Sequence, residues 1–434
     1  MRNRNNIYLR CLMKVIVRQA KIIDPSSPHH LQQADIFIMD GFIRSIQPLI
    51  TEEADREIKM DGLCISPGWV DIFSHFNDPG FEYRETIETG AISAAAGGFT
   101  DVLIVPNTSP VVHNKSAIEY INQKGSTTVI TIHPIGAITK NNEGKELAEM
   151  YDMHSSGAVA FSDGLQSVQS AGLLLKALQY VKAIDATIIQ VPDDKSFAVG
   201  GLMNEGVMAT RLGLPGKPSI GEELIIIRDI ELVKYTDSKL HITGITTAKS
   251  VQLIKEAKEN GVKISCSVAP THLFFTDDDL ADYDTNLKVN PPLRTKEDRA
   301  DLIRGILDGT IDCMASHHLP LSNDEKDVEF EQAGNGAISL QTAYAVVRTL
   351  LPQMDVEKLI ALMSLNARQL FNLPHISIVE NSPATFTLFL ENEEWNVKGE
   401  ELLSKSKNAP FIGKTLRGRP LGIINKDKVF LNEF

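Results

Sequence analysis

The groups that could carry chemistry in this sequence are eleven histidines and the acidic and amide side chains near some of them. Imidazole nitrogens and carboxylate oxygens bind zinc and move protons, so their positions decide which reactions they could support. Several directly follow short apolar runs that are typical of buried β-strands. The tripeptides at six such strand ends are Phe73-Ser74-His75, Pro106-Asn107-Thr108, Ser162-Asp163-Gly164, Val191-Pro192-Asp193, Thr243-Gly244-Ile245 and Ser316-His317-His318.

The elements that must position these residues form a repeating pattern between residues 67 and 375. Amphipathic helical runs alternate there with predicted strands at 68–73, 101–105, 128–132, 158–161, 187–191, 240–244, 262–268 and 311–315. Gly261 and Gly309 stand where helix carboxyl termini favour glycine. Eight buried strands over roughly 250 to 300 residues predict a (β/α)8 (TIM) barrel, whose chemistry gathers at the strand carboxyl ends. A doubly wound open sheet is the alternative, but no G-x-G-x-x-G follows the first strand to support it.

The two ends of the chain have a different pattern. Residues 13–66 and 376–434 consist of short alternating runs separated by turns, with a hairpin signal at Asp40-Gly41. Neither segment has enough strands for a core of its own, so together they predict one small β-sandwich domain. The fold class is therefore α/β, a TIM barrel with a β-sandwich built from both chain ends. Residues 1–12 lack the apolar segment of a signal peptide, so either they are an extension or Met13 is the natural start.

Composition excludes several classes of function. Acidic residues outnumber basic ones by 56 to 43, and the net charge of −13 argues against a nucleic-acid-binding protein. No apolar run approaches the roughly 18 to 20 residues that cross a membrane. The four cysteines are scattered without a C-x-x-C pair, which favours neither disulfides nor a zinc ribbon. We expect a cytoplasmic protein.

Six phrases occur in a recognisable order: VDIFSHFNDPG, AGGFTDVLIVPNTSPV, GAVAFSDG, LMNEG, KVNPPLRTKEDRADLIRGILDGTIDC and LSKSKNAPFIGK. With them the chain resembles the dihydroorotase branch of the amidohydrolase superfamily from about Met13 to its carboxyl terminus. The resemblance implies interconversion of dihydroorotate and carbamoyl aspartate by hydrolysis of a cyclic amide. It also implies one or two zinc ions that activate water and polarise the carbonyl, with an aspartate that moves the proton.

The residues at the family's metal-ligand positions depart from this pattern. The family's first strand ends in H-x-H, whose two imidazoles point to the same side, but here Phe73 precedes the remaining His75. The histidines expected after the fifth and sixth strands correspond to Val191 and Gly244. The aspartate expected after the eighth strand, both ligand and base in the family, corresponds to His317.

The substrate-binding positions are altered as well. The family's substrate arginine corresponds to Asn77, which removes the bidentate group that would hold a carboxylate. Asn107 and Asn290 stand at positions that contact substrate in the family. Both also lie in turns beside proline, where asparagine serves backbone hydrogen bonding, so either role is open.

Only a reduced set of metal ligands is left. His75, Asp163 and His317 are the remaining candidates, and a catalytic zinc typically has three protein ligands plus water. Each of the three also has an ordinary structural role available, as a hydrogen-bonded histidine or a turn-forming aspartate. We therefore expect no metal or other cofactor, and a vestigial site at best.

Three functional hypotheses follow. The first is a catalytically inactive dihydroorotase homologue that acts, like the inactive members it resembles, as a structural partner of aspartate carbamoyltransferase in an oligomer. The second is an active cyclic-amide hydrolase of the dihydroorotase, hydantoinase or allantoinase kind, with zinc on the altered set of ligands. The third is a binding protein that keeps the pocket for a small molecule. The first is preferred, because scaffold phrases are retained where ligands, base and arginine are lost.

Overall fold

A computed structural model describes residues 14–197 and 200–433. The extension predicted over residues 1–12 and the start at Met13 lie outside them. The strands of the described residues are β1 (Lys14–Ile22), β2 (Gln33–Met39), β3 (Phe42–Gln47), β4 (Arg56–Lys59), β5 (Leu63–Pro67), β6 (Trp69–Ser74), β7 (Phe99–Ile104), β8 (Thr131–Gly136), β9 (Ala160–Phe161), β10 (Thr187–Gln190), β11 (Met203–Asn204), β12 (Gly216–Lys217), β13 (Leu240–Thr243), β14 (Ile264–Val268), β15 (Cys313–Met314), β16 (Thr385–Asn396), β17 (Thr415–Asn425) and β18 (Lys428–Leu431).

Helices alternate with the strands through the middle of the chain. They are α1 (Ile87–Ala96), α2 (Lys115–Gly125), α3 (Met150–Ser155), α4 (Ala171–Lys182), α5 (Val207–Leu212), α6 (Ile220–Thr236), α7 (Ala248–Glu259), α8 (Pro270–Phe274), α9 (Lys296–Asp308), α10 (Asn323–Lys326), α11 (Ala343–Leu350), α12 (Val356–Ile360) and α13 (Asn366–Leu370), with a π-helical turn at Ala361–Leu365 between the last two. Within the described ranges no helix is long and apolar enough to cross a membrane.

Local sequence sets where the longer helices begin and end. Five of the longer helices begin after a residue whose side chain accepts a backbone N–H of the first turn, namely Thr86, Asn114, Ser170, Thr247 and Thr295. Gly309 ends α9 with a φ of 81°, and Gly261 follows the end of α7 with a φ of 75°. Both glycines adopt the left-handed conformation that the sequence pattern predicts for helix ends.

Eight parallel strands form the barrel in the order β6-β7-β8-β9-β10-β13-β14-β15. The ring closes between its first and last strands, where the amide of His75 donates to the carbonyl of His318 at 2.8 Å. The predicted (β/α)8 fold is confirmed. The third strand begins at Thr131 rather than at residue 128, because the Thr128 hydroxyl donates to the carbonyls of Gly125 and Ile130 and holds a turn there.

The barrel interior has an apolar part and a polar part. Val70, Leu103 and Ile189, from β6, β7 and β10, belong to one buried apolar cluster. Side chains alternate between the two faces of a strand. On β13 and β14 the positions that alternate with helix-facing apolar residues are polar, and they are His241, Thr243, Ser265 and Ser267. The barrel axis therefore carries hydrogen-bonding groups on one side.

Both chain ends contribute to a second sheet, as predicted for the β domain. Its order is β18-β17-β16-β5-β1-β2-β3, with β4 also paired to β1. The carboxyl-terminal β16 pairs antiparallel with β5 and joins the two ends of the chain. The sheet branches at β1, which pairs with β4 through Val15–Arg18 and with β5 through Lys21–Ile22. A separate apolar core with residues from both chain ends, including Ile36 and Phe386, fills this domain.

Candidate functional site

A cavity of about 210 Å³ opens at the carboxyl ends of the barrel strands. Three of the predicted site residues line it together, His75, Asn290 and His317. The remainder of its lining is Leu165, Gln166, Thr271, His272, Val289, Ser316, Leu319, Asn335, Gly336 and Ala337. The strand ends therefore converge on one mouth, as the barrel fold requires.

The barrel closes where β6 meets the segment after β15, and there Asp71 binds the chain just before His317. One oxygen of the buried Asp71 carboxylate accepts the amide of Ser316 at 2.6 Å. The other accepts the hydroxyls of Ser74 and Ser316 at 2.6 and 2.9 Å. Burial raises the pKa of Asp71, although these hydrogen bonds oppose the rise. His317 follows with a φ of 48°, a left-handed conformation that places its ring across the mouth.

The imidazole ring of His317 packs between Phe73 and Gly244, two of the positions where the resemblance implies zinc ligands. Its centroid lies 4.7 Å from that of Phe73, with an angle of 30° between the rings. On the other side is Gly244, where an added Cβ would stand 2.6 Å from Cε1 of His317. The ring thus occupies space that a larger residue at position 244 would need.

A chain of hydrogen bonds fixes the same imidazole from inside the barrel. His241 contacts the hydroxyls of Ser265 and Ser267 through Nδ1 and Nε2 at 2.8 and 2.9 Å. Ser267 donates to Thr243 at 2.9 Å, and Thr243 contacts Nε2 of His317 at 2.8 Å. If each hydroxyl donates once, Thr243 gives its hydrogen to Nε2 of His317, which leaves the ring hydrogen on Nδ1.

Three imidazoles line the cavity in their neutral form at pH 7. Desolvation by burial lowers the pKa of His75 and of His317 to about 3, and that of His272 to about 4. Nε2 of His272 lies 2.9 Å from the carbonyl oxygen of Pro291. Nε2 of His75 is buried and has no hydrogen-bond partner among the described residues.

Asp163 binds the neighbouring loop at Thr139. Its two oxygens accept the amide and the hydroxyl of Thr139 at 2.9 and 2.6 Å. Asn107 uses its amide group to hold the same turn, donating to the carbonyl of Asp163 at 3.1 Å and accepting the amide of Leu165 at 3.2 Å. An added Cβ at Gly164 would overlap Asn107, which shows how tightly the turn is packed. Both residues thus have structural partners here, and burial raises the pKa of Asp163 to about 6.

The remaining predicted positions differ in their surroundings. Val191 belongs to the apolar cluster of the barrel interior. Asn77 is buried with a φ of 56°, and its amide donates to the carbonyl of Pro320 at 3.4 Å. Asn290 lines the cavity, where its oxygen accepts from Lys217 at 2.6 Å.

The sequence analysis assigned no role to His272 or Thr243. His272 lies on α8 directly after β14, so the strand-end rule that selected the other residues could have found it. Thr243 was seen only as a strand-end residue. Its contact with His317 joins residues 74 positions apart and left no signal in the sequence.

Barrel, composite β domain and cavity at the strand ends together define an amidohydrolase-type fold. The solved L-hydantoinase (dihydropyrimidinase) from Arthrobacter aurescens has a TM-score of 0.85 and 24% identity, over 97% of this chain and 96% of that chain. A D-hydantoinase structure has a TM-score of 0.80 and 19% identity over the same shares. At these identities the likeness shows the fold alone.

The sequence comparisons are more specific. The family model described as Dihydro-orotase-like matches residues 62–250. The dihydroorotase of Pelotomaculum thermopropionicum is 39% identical over 424 residues, which is 97% of this chain and 99% of the relative. That of Geotalea daltonii is 38% identical over 421 residues, 96% of this chain and 99% of the relative. The chain belongs to the dihydroorotase family.

The zinc that this family implies does not fit the donors at the mouth. Phe73, Val191 and Gly244 have no side-chain nitrogen or oxygen to offer a metal. Both oxygens of Asp163 already accept from Thr139. Across residues 14–197 and 200–433, no group of three or more His, Cys, Asp or Glu side chains is placed to hold a metal ion. The altered ligand set that includes Asp163 is therefore not assembled.

The contact between Gly244 and His317 can be tested by adding one methyl group. We expect Gly244→Ala to lower the free energy of unfolding by at least about 2 kcal/mol. The new Cβ must displace the His317 ring, and the alanine must adopt a φ of 70°, which is unfavourable for a residue with a side chain. Gly213→Ala is the matched control, since Gly213 has the same φ and nothing within 4 Å of the added Cβ. We expect it to cost about 1 kcal/mol. Equal losses in urea unfolding would contradict the packing described.

The buried imidazoles also predict how stability depends on pH. An unfolded histidine titrates near 6.5, whereas the pKa of His241, lowered chiefly by burial, is about 3 in the folded chain. Between these values the unfolded chain binds protons that the folded chain does not, so stability is lost as the pH falls below about 6.5. His75, His272 and His317 act in the same sense. Asp163 and Asp229, with pKa values raised to about 6 by burial, oppose them only below that pH.

We therefore expect the free energy of unfolding to fall between about pH 7 and about pH 5.5. His241→Asn should reduce that fall by up to about 1.4 kcal/mol per pH unit, because it removes one of the four imidazoles. His375→Asn changes an exposed histidine and serves as control. Urea titrations of the wild type and the two variants at the two pH values measure these free energies of unfolding. A wild-type free energy that does not change with pH would refute the expectation.

Proposed function

We propose that this dihydroorotase-family protein belongs to pyrimidine biosynthesis but does not hydrolyse dihydroorotate, and that it acts as a structural partner of aspartate carbamoyltransferase. The observation that carries the loss of activity is the ring of His317. It fills the space between Phe73 and Gly244, at two positions where the resemblance places zinc ligands.

The chemistry of hydrolysis supports the proposal. Opening a cyclic amide requires an activated water, polarisation of the carbonyl and a base that accepts a proton. His317 stands in place of the family's aspartate base, yet its pKa of about 3 and its bond to Thr243 make it a poor proton acceptor near neutral pH. Asn77 offers an amide bonded to Pro320 where a guanidinium would bind the substrate carboxylate.

One observation favours the alternative of an active cyclic-amide hydrolase with altered chemistry. His75, His272 and His317 line a single cavity, and imidazoles are the commonest acid–base groups of enzymes. Such an enzyme would need a metal site other than the one that the resemblance describes, or none. Measuring the turnover of cyclic amides distinguishes the two functions.

The proposed partner rests on the resemblance to inactive members of the family that assemble with aspartate carbamoyltransferase. A fold that is kept while its catalytic residues change is expected of a protein that functions by binding a partner through its surface. We also propose a cytoplasmic location. Cys64, Cys266 and Cys313 are buried and unpaired in the described part of the chain, which suits a reducing compartment.

The loss of activity is tested by turnover and metal content together. We expect the purified protein, supplied with excess zinc and then desalted, to retain less than about one tenth of a zinc ion per chain. We expect no hydrolysis of dihydroorotate, hydantoin or allantoin above the rate without protein. The dihydroorotase of Pelotomaculum thermopropionicum, prepared in the same way, is the positive control. Stoichiometric zinc with turnover of any of the three would overturn the proposal.

The partnership is tested by co-expression with the aspartate carbamoyltransferase of the same organism. We expect the two chains to elute together in size-exclusion chromatography at micromolar concentration, with a constant ratio across the peak. The Pelotomaculum dihydroorotase mixed with the same enzyme controls for non-specific association. Separate elution of the two chains at that concentration would rule the partnership out.

A further inference from the structure

Helix α6 carries apolar residues on two opposite faces. Its inward face packs into the protein core through Ile226 and Val233. Ile220, Leu224 and Ile227 lie on the outward face, where each is between 38% and 41% exposed. A helix that is apolar all round is typical of one that is buried on every side. The outward face of α6 is therefore a candidate for burial against another molecule.

The three exposed aliphatic residues form one continuous stripe, because positions i, i+4 and i+7 of a helix lie on the same face. Tyr235 extends the stripe at the carboxyl end and is 76% exposed. Phe197, also exposed, widens it at the amino end beside Gly221. Glu231 interrupts the stripe, but its carboxylate pairs with Lys234 at 2.7 Å. Single exposed apolar residues are ordinary, whereas a continuous patch marks an interaction surface.

The neighbouring helix adds to the same surface. Lys182, the last residue of α4, donates to the carbonyl of Thr236 at the end of α6, which brings the carboxyl ends of the two helices together. Tyr180, one half-turn earlier on α4, is also exposed. A stable interface buries about 800 Å² on each partner, more than a single helix face provides. The surface available for burial therefore spans parts of both helices.

Two charged residues border the stripe on the same edge. Glu223 lies in the first turn of α6 and Lys234 in the last. They are eleven positions apart, which is about three turns of 3.6 residues, so both side chains leave the helix on the same side. When two identical helices pack antiparallel about a two-fold axis, the amino end of an edge meets the carboxyl end of the same edge on the other copy. Glu223 of each copy would then face Lys234 of the other.

We propose that the outward face of α6 is the interface of a homodimer, in which two copies of this chain pack their α6 helices antiparallel. The apolar stripe supplies the buried surface, and the two pairs of Glu223 with Lys234 set the orientation. A parallel arrangement would bring the two acidic amino ends together, with their helix dipoles aligned, which is unfavourable. The two-fold axis falls beside Ile227, near the middle of the helix.

Sedimentation velocity of the full-length protein tests whether the dimer exists. We expect a species with twice the mass of one chain, and a dissociation constant of about 10 micromolar or below. The carbamoyltransferase is left out of this experiment, so its result does not depend on the proposed function. A wild-type protein that remains a monomer at about 100 micromolar would overturn the proposal.

A charge placed at the axis tests whether α6 forms the interface. In Ile227→Lys, the two copies would bring like charges together in the middle of the apolar stripe, so we expect the dissociation constant to rise at least about hundredfold. Leu307→Lys makes the same kind of change at an exposed residue of α9, and we expect it to leave the dimer intact. Circular dichroism verifies that both variants are folded. Unweakened association of Ile227→Lys would show that the interface lies elsewhere and overturn the proposal.

Exchange of the two edge charges tests the antiparallel orientation. We expect Glu223→Lys and Lys234→Glu, made singly, each to raise the dissociation constant at least about fivefold, because each leaves two like charges facing one another. The double variant restores opposite charges at both ends, so we expect it to recover at least half of the loss in binding free energy. A double variant as weak as the sum of the two single variants would contradict the orientation.

The same face could instead be covered by aspartate carbamoyltransferase, and co-expression distinguishes the two occupants. A wild-type chain that is a monomer alone, and that loses co-elution with the enzyme when Ile227 is replaced by lysine, would assign the face to the enzyme and overturn the homodimer. A wild-type chain that dimerises through this face without the enzyme supports the homodimer, whatever the result for the partnership.

Discussion

The contact between the rings of Phe73 and His317 fixes the position of the His317 imidazole in the barrel mouth. The two rings lie with centroids 4.7 Å apart, in a tilted arrangement that neutral aromatic groups favour. Gly244 leaves room for the histidine on the other side, and Thr243 binds its Nε2. An imidazole that packs on a phenyl ring and accepts from a hydroxyl is a structural group of the mouth. The proposed loss of activity rests on this structural role.

The barrel itself supplies the geometry of this contact. Closure of the ring brings the segment after β15 against β6, and the Asp71 carboxylate binds the Ser316 amide at that seam. His317 then follows with a left-handed backbone and turns its ring toward Phe73. The polar side of the barrel interior, on β13 and β14, carries hydrogen bonds from His241 through Ser267 to Thr243. The replacements at the ligand positions thus form one packed arrangement.

Much of the fold could be predicted, because periodicity and strand ends are local features of the sequence. The eight-strand barrel and the joining of both chain ends followed from alternating patterns, and residue types at strand ends marked the positions at which this sequence departs from the family's pattern. Strand boundaries were less predictable, since the start of β8 depends on hydrogen bonds from the Thr128 hydroxyl. Residue types alone could not show that both oxygens of Asp163 bind Thr139. The chain from His241 to His317 depends on the register of β13 against β14, which pairs His241 with Ser265 and Thr243 with Ser267.

A packed imidazole occupies the part of the barrel mouth where the resemblance implies zinc. A crystal structure of the protein grown with excess zinc, with anomalous data collected above and below the zinc edge, tests it most directly. We predict that the ring of His317 stacks on Phe73 and that no anomalous peak lies within coordination distance, about 2.1 Å, of a nitrogen of His75 or His317. A zinc peak bound to either imidazole, with the His317 ring rotated away from Phe73, would show that the mouth still binds the metal and would refute this arrangement.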